Sequence, residues 1–283
     1  MVQRVAVIGG SGRLGARVVR ELGEQDVVAV PLSRRTGFDL CRSEPDQLAR
    51  ALDGCDAVID CSDAADRKQS TFEASAAALA IAAGRAGVRQ LVAVSIVGID
   101  RPGLARMGYY QGKLAQERAL RAAAAPVGVV RTTQWFGFVD QASAGVDLGR
   151  LGRLNLAPTM RMQPVSIDAV AERLVRAALD GVPEGRIELA GPESMSLAEL
   201  ARRVWRARGV RARVVQLPIP GIPGFADGSL LPGPDAEIDP TTIEDWVATE
   251  GPAGQGVDPA QAGKAGEVGV GRRDLRTAED SRA

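Results

Sequence analysis

Short apolar runs alternate with longer stretches of helical period along the first half of the chain. Arg4–Ile8 (RVAVI) has the length and β-branched content of a buried strand, and Arg13–Leu22 places Leu14, Val18, Val19 and Leu22 on one helical face. The alternation continues with a strand at Val27–Leu32, then a helix capped by Ser43 in a capping box with Asp46, with Leu48, Ala49 and Leu52 on its inner side. A strand at Ala57–Cys61, an Ala-rich helix at Thr71–Ala86, a strand at Gln90–Val97, a helix at Tyr109–Ala124 and a strand at Val127–Arg131 follow. Strands that are apolar almost throughout and regularly separated by helices predict a parallel sheet covered on both faces.

Past Ala142 the rhythm loosens. Gly145–Leu156 is Gly-rich, Arg161–Val165 and Gly185–Ala190 are candidate strands, and Asp168 is placed to cap a helix running through Leu179. Ser196, with Glu199 completing a capping box, starts a helix through Arg208. Arg213–Leu217 is a further candidate strand before the Pro/Gly-rich loop 218–234, and Asp239–Thr249 closes with a short helix carrying Trp246. The last 33 residues hold seven glycines, no aromatic residue and five charges of each sign without periodicity, which predicts a disordered tail. The expected organisation is a nucleotide-binding α/β domain over 1–141, a small C-terminal lobe over 142–250 whose elements partly pack on the same sheet, and a tail over 251–283.

Charge and composition narrow the chemistry. Lys+Arg and Asp+Glu both total 35, so no basic excess argues for nucleic acid or an anionic membrane. The 283 residues contain no histidine, which removes Ser-His-Asp triads, Cys-His nucleophiles, His-ligated metal and imidazole acid–base catalysis. Cys41, Cys55 and Cys61 are odd in number and lack CxxC spacing, as expected of reduced thiols in a cytoplasmic protein with no metal site and no activated thiolate. What remains is Tyr, Lys, Ser, carboxylates or a cofactor.

Between the first strand and first helix lies Gly9-Gly10-Ser11-Gly12-Arg13-Leu14-Gly15. A tight turn at Gly9, backbone N–H groups opened at Gly12 and close helix packing at Gly15 suit a dinucleotide pyrophosphate at a helix N-terminus. Some 20 residues on, an NAD site expects a carboxylate for the ribose 2′-OH. Here the second strand ends Pro31-Leu32-Ser33-Arg34-Arg35. Two guanidiniums and a hydroxyl suit a 2′-phosphate, so NADP(H) is the expected cofactor, the alternative being that Arg34 and Arg35 are solvated loop charges. Asp39 could cover the adenine edge or be an ordinary loop residue.

On these features the chain resembles the short-chain dehydrogenase/reductase superfamily, in its atypical NmrA-like branch, over roughly residues 1–249. Further matching stretches are Cys61-Ser62, Val94-Ser95-Ile96-Val97-Gly98, Tyr109-Tyr110-Gln111-Gly112-Lys113, Arg131-Thr132-Thr133-Gln134 and Val165–Ala171. The resemblance implies a Rossmann-type, doubly wound parallel sheet with a small C-terminal substrate lobe, Ser62 beside the cofactor, and Ser95 as the hydroxyl that polarises a carbonyl, although Ser95 sits one or two positions early. The Tyr109/Lys113 pair also stands on chemistry. Residues four apart share a helix face, and an ammonium near a phenol favours the phenolate. Tyr109 could then protonate a carbonyl as hydride arrives, while Lys113 also binds the nicotinamide ribose. Tyr110 could substitute only if the helix were rotated.

Thr132, Thr133 and Gln134 could supply a replacement donor. Trp135, Phe136 and Phe138, with Met160 and Met162, could line an apolar pocket for a flat substrate or be plain core. The expected activity is NADPH-dependent reduction of a small carbonyl, quinone or imine by hydride transfer, in a chain that could form a homodimer. The NmrA-like resemblance also implies a non-catalytic sensor reporting the NADPH/NADP ratio to a protein partner. A third reading is a nucleotide-sugar epimerase.

Overall fold

A strand apolar on both faces is stable only between two helical layers, and the chain supplies both. In the computed structural model, which describes residues 1–64, 66–104, 107–142, 144–147, 153–182, 185–218 and 221–250, the first half runs β1 (Arg4–Ile8), α1 (Arg13–Glu24), β2 (Val28–Leu32), α2 (Pro45–Ala51), β3 (Ala57–Asp60), α3 (Gln69–Arg85), β4 (Gln90–Ile96), α4 (Gly108–Leu120) and β5 (Val127–Thr132). The second half runs α5 (Val139–Ala142), β6 (Ala144–Asp147), β7 (Arg153–Pro158), β8 (Arg161–Met162), α6 (Ile167–Asp180), β9 (Arg186–Ala190), β10 (Met195–Ser196), α7 (Leu197–Ala207), β11 (Ala212–Leu217), β12 (Glu237–Ile238) and α8 (Ile243–Glu250). The predicted tail, 251–283, lies outside the described residues.

The main sheet has the order β12-β9-β5-β4-β3-β1-β2 with all pairings parallel. This is the Rossmann-type doubly wound α/β architecture expected from the strand–helix alternation. Alternate residues feed two cores. Val5, Val7, Ile59, Val92 and Val94 pack with Leu14, Val18 and Leu22 of α1 and Val170 and Leu174 of α6. Ala6, Ile8, Val58, Leu91 and Ala93 pack with α2, α3 and Leu120 of α4 on the other face. β2 and β3 leave β1 in opposite directions, so the chain reverses beside the carboxyl end of β1, where open α/β sheets bind ligands. No helix among the described residues is long and apolar enough to cross a membrane.

The second half is interleaved with this sheet, for β9, β12 and α6 complete it. The rest forms a smaller layer of β6, β7 and β11, the β8–β10 pair, and α7 and α8 around a separate core that includes Phe136, Met160, Met162, Trp205 and Trp246.

Two expected helix caps are corrected. Glu44, with reciprocal Gln47, caps α2 ahead of Pro45, while the Ser43 hydroxyl donates back to the Asp39 carbonyl at 2.8 Å. Ser166 caps α6. Asp168, in the first turn, is thereby left to accept from Arg17 (3.1 Å) and Arg20 (2.8 Å), which ties α1 to α6. The Gly-rich 145–156 stretch contributes the antiparallel pair β6–β7. The Ser196 cap stands as expected, accepting from the Glu199 N–H at 3.1 Å.

Under α4 lies a buried ion pair. Arg131 on β5 meets Glu117 through two hydrogen bonds, at 2.9 and 2.8 Å, and both residues are 3% exposed. Arg131 also donates to the exposed Asp100 at 2.8 Å, so removing Glu117 leaves the buried guanidinium with one solvated partner and two lost hydrogen bonds. Glu117→Ala is expected to lower unfolding free energy by about 1.5–3 kcal/mol, the cost of losing hydrogen bonds to a charged group while Asp100 still answers the charge, read as a reduced denaturant midpoint. A loss below ~1 kcal/mol, the worth of a surface pair, would contradict it.

Candidate dinucleotide site

The Gly9–Gly15 turn is built by approaches that leave no room for side chains. Gly9 has φ +75°, its N–H donates to the Leu32 carbonyl at 2.8 Å, and a Cβ there would lie 2.9 Å from the Cys61 carbonyl oxygen. A Cβ on Gly15 would collide with the Gly9 carbonyl, and one on Gly10 would come within 2.7 Å of the Pro31 side chain. Gly10 is thus required as much as the three glycines that the spacing singles out. Gly12 takes the N-cap position of α1 with no side-chain cap, and the first turn carries no acidic residue. Leu14 is core, whereas Arg13 is exposed and meets the Gln141 side-chain oxygen. An uncapped helix start with a positive partial charge, facing a turn that only glycines can make, fits the pyrophosphate of a dinucleotide.

Ser11 Oγ donates to Ser33 Oγ at 2.9 Å and so joins this turn to the end of β2. Ser33 is buried, and the following turn, Arg34–Thr36, exposes both arginines. Asp39 serves its own loop: its carboxylate accepts the Cys41 N–H at 3.1 Å and lies 3.7 Å from Arg42.

The opposite wall begins where β3 ends. Asp60 is fully buried and its Oδ1 accepts the Ser62 N–H at 2.9 Å. Burial, reinforced by the Asp60 charge, pushes the half-exposed Cys61 thiol well above its usual range, so it is protonated rather than nucleophilic. Asp63 is open to solvent, yet the surrounding chain raises its carboxyl, with Lys113 and Arg67 pulling the other way. Tyr109 is half-buried, and its phenol is raised by burial and then by Asp63, with Arg67 opposing. Asp63, Arg67 and Tyr109 thus lie together beside the carboxyl ends of the strands, where an open α/β sheet leaves its ligand-binding crevice.

Tyr109 and Lys113 lie one turn apart on α4. The Phe72 ring is near both, 5.9 Å from the Tyr109 ring in an edge arrangement and 5.9 Å from Lys113 Nζ. The Arg67 guanidinium stacks on Tyr109 at 5.3 Å. Lys113 is 4% exposed, and its ammonium donates to Gln116 Oε1 at 2.6 Å. The Tyr109 phenol therefore feels Asp63 and Arg67, and the expected lowering by Lys113 is not found in this arrangement. Tyr110 is buried in the separate core around Phe136 and Trp246, so the helix rotation selects Tyr109 for the crevice.

The other expected residues divide. Ser95 is 2% exposed within β4, its hydroxyl closed to solvent and without a partner, because the strand runs on through Ile96 before the chain turns. Thr133 Oγ1 donates to the Gln163 carbonyl at 2.6 Å. Gln134 is buried with Oε1 unpaired, and Trp135 Nε1 donates to Thr132 at 3.2 Å. Met160 and Met162 are core rather than pocket, whereas Phe136, 5.5 Å from the Trp246 ring in the same core, also borders a small cleft with Pro164, Met195 and Ile243. Sequence reasoning missed Asp60 and Gln116. A carboxylate closing an otherwise apolar strand (AVID) was the one signal available for the first, and its partner is 56 residues away.

A family model described as NAD(P)H-binding matches residues 9–180. A search of curated proteins found no match. Among solved structures, dTDP-4-dehydrorhamnose reductase from Bacillus anthracis in complex with NADP is similar at TM-score 0.68 and 15% identity, covering 88% of this chain and 98% of that one. A short-chain dehydrogenase/reductase superfamily protein from Agrobacterium tumefaciens with bound NAD gives 0.63 and 19%, over 87% and 95%. UDP-glucose-4-epimerase from Stenotrophomonas maltophila with bound NAD gives 0.64 and 17%, over 88% and 99%. These structures share the fold, and the matched family model runs from the glycine turn through α4 to the end of α6: the chain belongs to the NAD(P)H-binding family.

Proposed function

We propose that the chain is an NADP(H)-dependent oxidoreductase of the short-chain dehydrogenase/reductase type that reduces a small carbonyl, quinone or imine. The observation that carries this reading is the segment Cys61–Asp63. Its backbone lies against Gly9 on one side, and its Asp63 carboxylate acts on Tyr109 on the other. One crevice thus joins a pyrophosphate cradle to a proton donor.

A bound nicotinamide would supply hydride. The chain's own part is positioning and proton transfer. The glycine turn and the start of α1 hold the pyrophosphate, and Ser33, Arg34 and Arg35 receive a 2′-phosphate. At neutral pH the Tyr109 phenol is protonated, the form that donates from Oη to a carbonyl oxygen or imine nitrogen as that atom gains charge. Lys113 supports the site from the same helix face. Preference for NADP(H) rests on the Ser11–Ser33 bond, which sets the arginine turn beside the cradle, and on the absence of a carboxylate from 31–35.

A second reading, a dinucleotide-binding regulator acting on a protein partner, is favoured by the closed Ser95 hydroxyl and by the Lys113 ammonium being held by Gln116. Tight NADPH binding without oxidation across a panel of carbonyls and quinones would select it.

By calorimetry, NADPH is expected to bind at least 10-fold tighter than NADH, and Arg34→Ala/Arg35→Ala to remove that preference, since charge-assisted bonds to a phosphate contribute about 1.5–3 kcal/mol each. Equal affinities in the unaltered chain would contradict the assignment. With a substrate from the panel, Tyr109→Phe is expected to reduce kcat about 10²- to 10⁴-fold at unchanged NADPH affinity; full turnover in that variant would end the proton-donor role.

A further inference from the structure

The buried polar groups beneath α4 include a set that the proposed reaction leaves unexplained. Lys113 and Gln116 are each 4% exposed and Asp60 is fully buried. Gln116 lies between the two charges, its Nε2 donating to Asp60 Oδ2 at 2.8 Å and its Oε1 accepting from Lys113 Nζ at 2.6 Å. The amide orientation is dictated by its neighbours. An ammonium can only donate and a carboxylate can only accept, so the reversed amide would face donor with donor and acceptor with acceptor. The other Asp60 oxygen takes the Ser62 N–H, next to the Cys61 carbonyl that Gly9 approaches.

The order of these residues along the helix gives the set a direction. Tyr109, Lys113 and Gln116 succeed one another on one face of α4, so the amide holds the ammonium from the side away from Tyr109. Burying one ammonium and one carboxylate is costly unless every polar atom is matched, and a bond made only for stability needs no spacer between them. With the amide inserted, the charge of Asp60 is answered deep under the helix while Lys113 stays one turn from the phenol. Fixing one of the three ammonium donors on Gln116 also orients the other two.

We infer that Gln116 and Asp60 are positioning residues that fix the Lys113 ammonium at the crevice, and that this relay sets the affinity of the site for the ribose hydroxyls of a nicotinamide dinucleotide. The inference rests on the cofactor reading above. It also assigns Asp60 a coupling role, since one carboxylate holds both the strand end beside the glycine turn and the helix that carries Tyr109.

The test is a double-mutant cycle on NADPH affinity, measured by calorimetry on the full chain, with folding of each variant checked by circular dichroism. Lys113→Met and Gln116→Met are each expected to weaken binding about 10-fold, the effect of one hydrogen bond to a charged group. In the Lys113→Met background, Gln116→Met is expected to change affinity less than about 2-fold. A Gln116→Met effect of the same size with and without Lys113, or no effect at all, would overturn the relay. Asp60→Asn, close in volume, is the second arm and is expected to show the same dependence on Lys113. An unaltered chain without NADPH affinity would remove the cofactor reading together with the relay, whereas a chain that binds NADPH but is indifferent to Gln116 would remove the relay alone.

Discussion

Backbone pressed directly against backbone at the carboxyl ends of β1 and β3 is the constraint on which the rest of the site depends. Gly9 takes a left-handed φ of +75° with its Cα against the Cys61 carbonyl, and Gly15 brings the first turn of α1 onto the Gly9 carbonyl. Neither contact survives a side chain. The result is a helix whose first N–H groups point into the place where the chain reverses direction in the sheet, with Gly12 as its only cap. The arginine turn, linked through Ser11 and Ser33, and the Cys61–Asp63 wall take their positions from that junction.

A second constraint fixes what faces the crevice from the other side. α4 buries Lys113, Gln116 and Glu117 on its sheet side, each matched to a partner, Glu117 with Arg131 and Gln116 with both Lys113 and Asp60. Turning the helix by one residue would pull all three from their partners at once. The rotation that satisfies them puts Tyr110 in the core around Phe136 and Trp246 and leaves Tyr109 beside Phe72, Arg67 and Asp63. The buried charges thus decide which tyrosine can act on a ligand, while apolar packing around Leu120 secures the far end of the helix.

What could be read from residue order was local or periodic. The strand–helix alternation, the glycine turn and the common face of Tyr109 and Lys113 need only a few neighbouring residues to be recognised. Caps at Ser43 and Asp168 were misplaced because a competing neighbour held the position, Glu44 before Pro45 in one case and Ser166 in the other. The β6–β7 pair was hidden by glycines and by an inverted pattern, for Asn155 and Ala157 are buried in β7 while Leu156 is exposed. Met160 and Met162 carry the same composition whether they line a pocket or fill a core, and only the placement of Trp246 and Trp205 resolves it. Asp60 and Gln116 were invisible because their meaning lies in contacts made across 56 positions of chain.

The most direct test of the account is whether closing the Gly9–Gly15 approach destroys nucleotide binding in a chain that still folds. Calorimetric titration of NADPH into Gly15→Ala, alongside the unaltered chain and with folding of both verified by circular dichroism, supplies it. The account predicts clear binding by the unaltered chain and at least a 100-fold loss in the variant, because the added methyl must displace the Gly9 carbonyl that shapes the cradle. Equal affinity in the two, or none in either, would contradict it.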